Sequence, residues 1–218
     1  MPLFSDYLEC KLVDMRRGQA FSWPATTYFG LIVATKGSRS SSTAYALNDT
    51  IVLTANDGKP HFYKCTTAGT SAAAQSTLYP GAIGEAITDG TAVFTEQSAA
   101  LDANTSAAIN EPAIGTGAYA RVGVVASLAN WAGTQGAGTT VASTGPGGTT
   151  SNNIAITFPA PTSNWASGSA QVAGWVEYDA ASAGNLLDWG LLTSPKTINS
   201  GDPAPYFPAA SLSMQLDT

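Results

Sequence analysis

The sequence is short of charge: Asp, Glu, Lys and Arg make up only 11% of its 218 residues, against about 25% in an average soluble domain. Disordered chains pair low hydrophobicity with high net charge. Here apolar residues reach 44%, so disorder does not explain the deficit. Nine basic residues against fifteen acidic ones leave a formal charge of −6. Only Arg16 and Arg17 are adjacent, whereas phosphate binding needs a clustered basic face. A nucleic-acid partner is therefore not expected. No apolar run approaches the length of a membrane span. The first residues, Met1-Pro2-Leu3-Phe4-Ser5-Asp6, bring acid early and no basic segment, unlike a secretory signal.

Chemistry-bearing side chains are equally sparse. His61 is the only histidine; it sits beside Phe62 and Tyr63 in a strand pattern and reads as a paired or surface residue. Cys10 and Cys65 are far apart, one on a helix pattern and one in a strand pattern. Without a secretion signal they are expected as free thiols rather than a disulfide. Two cysteines and one histidine without short spacing do not make a zinc site. No nucleophile elbow is present, and the glycines of 145–151 lack the Lys-Ser/Thr ending of a phosphate loop. The carboxylates are dispersed. Glu177 and Asp179, at i and i+2, can share a strand face and are the one pair that a glycan-active enzyme would use. A strand end meeting a turn uses the same residues. The expectation is no catalytic residue, no cofactor, no metal and no enzyme activity.

What takes the place of charge is Ala, Gly, Ser and Thr. A surface of that kind is neutral, small-featured and easily desolvated against a neighbour, although a soluble β-domain with Ser/Thr-rich strands would share the composition. One helix is expected near the N-terminus. Asp6 and Glu9 resemble a capping box, Leu8, Leu12 and Met15 recur at helical spacing, and Arg16, Arg17 and Gly18 suit a C-terminus. Its apolar stripe must lie on the core or on a neighbouring chain.

Strand patterns follow at Thr27–Ala34, Ile51–Thr54, His61–Thr66, Ala92–Thr95, Ala118–Ser127, Asn153–Phe158, Gln171–Tyr178, Leu186–Leu192 and Leu212–Leu216. Asn56-Asp57-Gly58 signals a hairpin turn. Polar stretches at Lys36–Ser42 and Leu101–Ser106 bracket a compact segment with its own aromatics. The Gly/Thr/Ser run from Gly133 to Thr150 reads as a long mobile loop or an extended arm. The fold class is mainly β: a β-sandwich or jelly-roll-like core from residues 1–36 and 105–218, one N-terminal helix, and a small inserted β module at 37–104. Trp175 and Trp189 read as core. Trp131 and Trp165 flank turns or the long loop, where a tryptophan is either a lid on the core or an interface anchor.

Several stretches resemble a family of small tailed-phage structural proteins, both tail-fibre-like and capsid-associated. They are Thr150–Pro159, Asn164-Trp165, Gly184–Leu192 and Pro195–Asp202, with Met1–Glu9, Pro24–Leu31 and Tyr119–Val122 fitting the same pattern. The insertion, through Ser42–Asp49, Phe62–Ser71 and Thr88–Glu96, is similar to small β modules of phage virion proteins that are distantly like chitin-binding domains. Such domains stack sugars on exposed tryptophan. This insertion has none, and Phe94 stands where one is often seen. Tyr45, Tyr63, Tyr79 and Phe94 remain weak candidates for glycan contact.

The resemblance implies a capsid decoration or cement protein made in the host cytoplasm and carried on the capsid surface of the virion. The major capsid protein would be its partner, with self-association, commonly trimeric. The alternative is a tail-fibre or baseplate-associated protein bound to tail proteins, its insertion meeting a receptor or glycan. Leu8, Leu12, Met15, Trp131 and Trp165 are the candidate interface residues.

Overall fold

The computed structural model describes residues 3–75, 79–97, 99, 101, 103, 111–135, 139–145 and 148–215. In chain order the elements are β1 (Leu3–Phe4), α1 (Asp6–Arg16), β2 (Thr26–Ala34), β3 (Ala44–Tyr45), β4 (Thr50–Thr54), β5 (Pro60–Thr67), β6 (Gly69–Thr70), β7 (Ala86–Asp89) and β8 (Ala92–Glu96). They continue with β9 (Val122–Val125), β10 (Trp131–Ala132), β11 (Thr149–Asn152), β12 (Ile156–Thr157), β13 (Gln171–Tyr178), β14 (Leu186–Lys196), β15 (Tyr206–Phe207) and β16 (Ser213–Gln215). The fold is mainly β and sandwich-like, with α1 as its N-terminal helix.

An antiparallel five-stranded sheet, ordered β1-β14-β13-β2-β9, forms its centre. Side chains alternate across a strand, so β2 and β13 each feed two cores. Phe29, Leu31, Val33, Val172 and Trp175 join Phe158, Trp165, Ile198 and Leu212 on one face. Ile32, Ala34, Ala173, Val176, Tyr178, Leu186 and Trp189 join Val52, Phe62 and Leu101 on the other. Burial on both faces explains why Thr27–Ala34 reads as a nearly unbroken apolar run rather than an alternation.

The first face is covered by the small sheets β10-β11-β16 and β12-β15. The second meets the sheet β4-β5-β8-β7, which the 37–104 segment contributes together with the β3-β6 pair. Behind that four-stranded sheet lies a third cluster of Tyr45, Ile51, Tyr63, Tyr79 and Phe94. The Asn56-Asp57-Gly58 turn joins β4 to β5 as its sequence implies, with Gly58 at a φ of +78° and the Ala55 amide bonded to Lys59 O at 2.8 Å.

Three local expectations need correction. The helix is capped by Ser5, one residue before Asp6: the Leu8 amide donates to Ser5 Oγ at 3.2 Å. The Ser5 hydroxyl itself donates to Leu186 O, and its amide to Leu187 O, tying the start of α1 to β14. Asp6 and Glu9 instead lie in the first turn, where negative charge opposes the helix dipole.

The strand expected over Ala118–Ser127 is only β9. Before it, Gly115, Gly117 and Ala118 all have positive φ in a tight 3-10 turn that swings Tyr119 into the core. There its hydroxyl accepts from the Leu31 amide at 2.9 Å and donates to Glu111 Oε1 at 2.7 Å. Finally, the Gly/Thr-rich run is not an extended arm in its described part. β10 pairs with β11, and Thr134 and Gln135 fold back to bond Ala142, Ser143 and Thr144. Residue 216, the last of the expected final strand, lies outside the described residues.

Candidate functional site

The start of the chain and the turn after β9 enclose an open groove of about 630 Å³. Ser5 fixes the entry of α1, which sets Leu8 and Leu12 along one wall; Phe4 of β1 continues it. Leu128 and Trp131, after β9, form the opposite wall, and Trp23 closes one end. Leu8 is buried beneath the groove, whereas Leu12, Trp23 and Leu128 are 36%, 41% and 54% exposed. Met15 lies further along α1 and is also exposed. Trp131 is half-buried, its ring 5.8 Å from that of Phe29. Large apolar side chains are therefore held open to solvent by a rigid scaffold. Exposed apolar side chains gathered around one groove are a surface that a protein partner can cover.

The floor of the groove is not apolar. Glu177 of β13 reaches it, and Asp188 of β14 stands directly opposite Glu177 in the ladder. Both residues are buried, at 1% and 0% exposure. Glu177 Oε1 and both Asp188 oxygens are buried without a hydrogen-bond donor. Burial raises the Glu177 carboxyl above its usual range. Burial, and then the negative charge of Glu177, holds Asp188 well above the usual carboxylate range. Two ionised carboxylates facing one another in an apolar interior repel and lack donors. A proton shared between them supplies the missing donor and leaves one negative charge on the pair.

Of the two readings the sequence left for Glu177 and Asp179, the strand end meeting a turn is the one the structure shows. Asp179 lies past the end of β13 and closes the turn to β14, accepting from the Asn185 backbone and side-chain amides at 2.7 Å each. Asp188 is the partner that sequence spacing misses. It sits eleven positions from Glu177, and only the hairpin register brings the two together.

Other candidates belong to the core. Trp165 is 8% exposed; its Nε1–H donates to Gly117 O at 2.8 Å and its ring stands edge-on to Tyr119. It is a core tryptophan. Tyr45, Tyr63, Tyr79 and Phe94 are buried to 2% exposure or less and pack edge-to-face on one another. Their hydroxyls are occupied internally: Tyr63 donates to Pro80 O and Tyr79 to Asp89 Oδ2. These four aromatics of the 37–104 segment form the cluster behind its four-stranded sheet. They offer no platform for a sugar. His61 lies between Asp57 Oδ2 and Glu96 Oε1, at 3.1 and 3.2 Å, as a paired residue. Cys10 is exposed and Cys65 buried, and both are free. Among the described residues no group of three or more His, Cys, Asp or Glu side chains is placed to hold a metal. No described helix is long and apolar enough to cross a membrane.

A family model for podophage GP4 fiber I protein gp80 matches residues 82–215. The chain belongs to that family. It is a fibre-related structural protein of the phage virion. No curated protein matches the chain. The gp80 match begins within the 37–104 segment, takes in β7 and β8, and runs through the acid pair, Leu128, Trp131 and Trp165. Helix α1, Trp23 and β2 fall before it. The groove thus has one wall inside the gp80 match and one outside.

Proposed function

We propose that this chain is a non-enzymatic subunit of the phage fibre, held in the virion by protein contacts in the groove beside α1. The observation that carries the reading is the solvent-open apolar surface of Leu12, Trp23 and Leu128 around that groove, in a chain of a fibre protein family. The low charge of the chain supports it, because neutral surface costs less to desolvate than charged surface. Contacts of this kind, repeated over several copies in one particle, add through avidity.

Capsid decoration, which the resemblance of the sequence favoured, makes the same demands on surface chemistry; the fibre family name moves the balance to the tail. The placement is tested by decorating intact virions with gold-labelled antibody against this chain and imaging them. Label at the fibres supports the reading. Label distributed over the shell overturns it and returns the chain to decoration.

A further inference from the structure

The groove is apolar on its walls and acidic at its floor, and its occupant has to match both. We propose that it receives an apolar segment of a neighbouring virion protein that presents one Lys or Arg side chain to Glu177. The inference deepens the fibre reading and rests on its claim that the groove is a protein contact.

Three features of the site carry it. Glu177 is 1% exposed yet reaches the groove, with Oε1 unpartnered. Asp188, opposite it in the ladder, has both oxygens buried without a hydrogen-bond donor. Buried polar groups in folded proteins are overwhelmingly paired, so orphaned oxygens gathered at one point call for a donor. The wall residues exclude an anionic or strongly hydrated occupant, whereas the long apolar stems of Lys and Arg pass along such a wall and carry their charge to its end. A cation at the floor replaces the shared proton, which leaves to solvent; the two ionised carboxylates then share one incoming positive charge as donor, and the site keeps the single net negative charge it had. Three of the chain's own cations are engaged elsewhere. Arg39 is held by Asp89 and Arg121 by Glu111, and Arg17 pairs with Asp14 on the surface of α1.

The experiment uses the full chain and two peptides with blocked ends, Leu-Lys-Leu and the same peptide with norleucine in place of lysine. Binding is followed by NMR at the indole N–H signals of Trp23 and Trp131. The lysine peptide is expected to bind about tenfold more tightly than its neutral counterpart, the scale of one charge-assisted hydrogen bond. That preference should vanish in Glu177→Gln, with the tryptophan signals of the free protein serving as the check on folding. Equal binding of the two peptides, binding of neither, or a preference that survives Glu177→Gln overturns the inference. The comparison of the two peptides on the unaltered chain stands even if the variant does not fold. The outcomes also separate from those of the fibre reading. Gold at the fibres with no lysine preference removes only the cation, and gold on the shell with a clear preference removes only the fibre.

Discussion

Glu177 and Asp188 face one another across the β13–β14 ladder, and both are buried. The pair has a definite effect on stability. Unfolded, Asp and Glu titrate near about 3.9 and 4.3; folded, both are raised by burial, and Asp188 further by Glu177. The folded state therefore binds the extra proton above that range. The contribution of the pair is fully present below about pH 4 and is lost as pH rises through the folded value. Asp188→Asn removes one carboxylate and introduces an amide that can donate to Glu177. It is expected to raise stability at pH 7 by about 1–3 kcal/mol and to flatten the decline with pH, measured by chemical denaturation between pH 4 and 9.

Asp89 carries the opposite sign. Burial pushes its carboxyl up, but the hydrogen bonds from Arg39, Tyr79 and the Ala72 amide together outweigh burial and hold it below its usual range. Its contribution is present above about pH 3.9 and is lost as pH falls through its depressed value. Asp89→Ala leaves the Arg39 guanidinium, 6% exposed, without its counter-charge. The expected cost is about 3–5 kcal/mol, read from urea denaturation.

Tyr119 closes the first core from the far side of the β9 turn. Tyr119→Phe keeps the stacking on Phe158 but strands the Leu31 amide, which is buried. A loss of about 1–3 kcal/mol is expected. Amide exchange should show the Leu31 N–H losing protection while more distant β13 amides keep theirs.

Trp165 and Leu128 separate core from contact surface. Trp165→Ala should cost about 3–5 kcal/mol in the isolated protein, because the indole is buried and its N–H is bonded. Leu128→Glu, at a side chain 54% exposed, should leave the melting temperature within the range of ordinary surface substitutions, about 0.5 kcal/mol. Differential scanning calorimetry on the two variants reads both outcomes.

Much of the frame was legible in the sequence, and what was not has identifiable causes. The run Thr27–Ala34 announced a strand buried on both faces, and Gly58 and Gly18 marked turns that positive φ requires. The helix was legible, but its cap was misplaced by one residue because Ser5 and Asp6 are both good caps and only the bond to β14 decides between them. Tyr45, Tyr63, Tyr79 and Phe94 looked available because alternation shows that a strand has two faces and not which face is covered. Asp188 was hidden because its partner depends on the register of β13 on β14, which is irregular between Glu177 and Tyr178. Asp179, at i+2, was the only nearby carboxylate that spacing could set beside Glu177. The groove itself joins α1 to a turn more than a hundred residues later, a relation that no local pattern carries.

The decisive point is whether the groove holds the chain in the particle. Purified wild-type chain and Leu128→Glu should each be mixed with isolated tails and with undecorated shells and sedimented. The account predicts saturable co-sedimentation of the wild type with tails, little with shells, and loss of tail binding in Leu128→Glu at unchanged stability. Binding of the wild type to shells alone, or undiminished tail binding by Leu128→Glu, would contradict it.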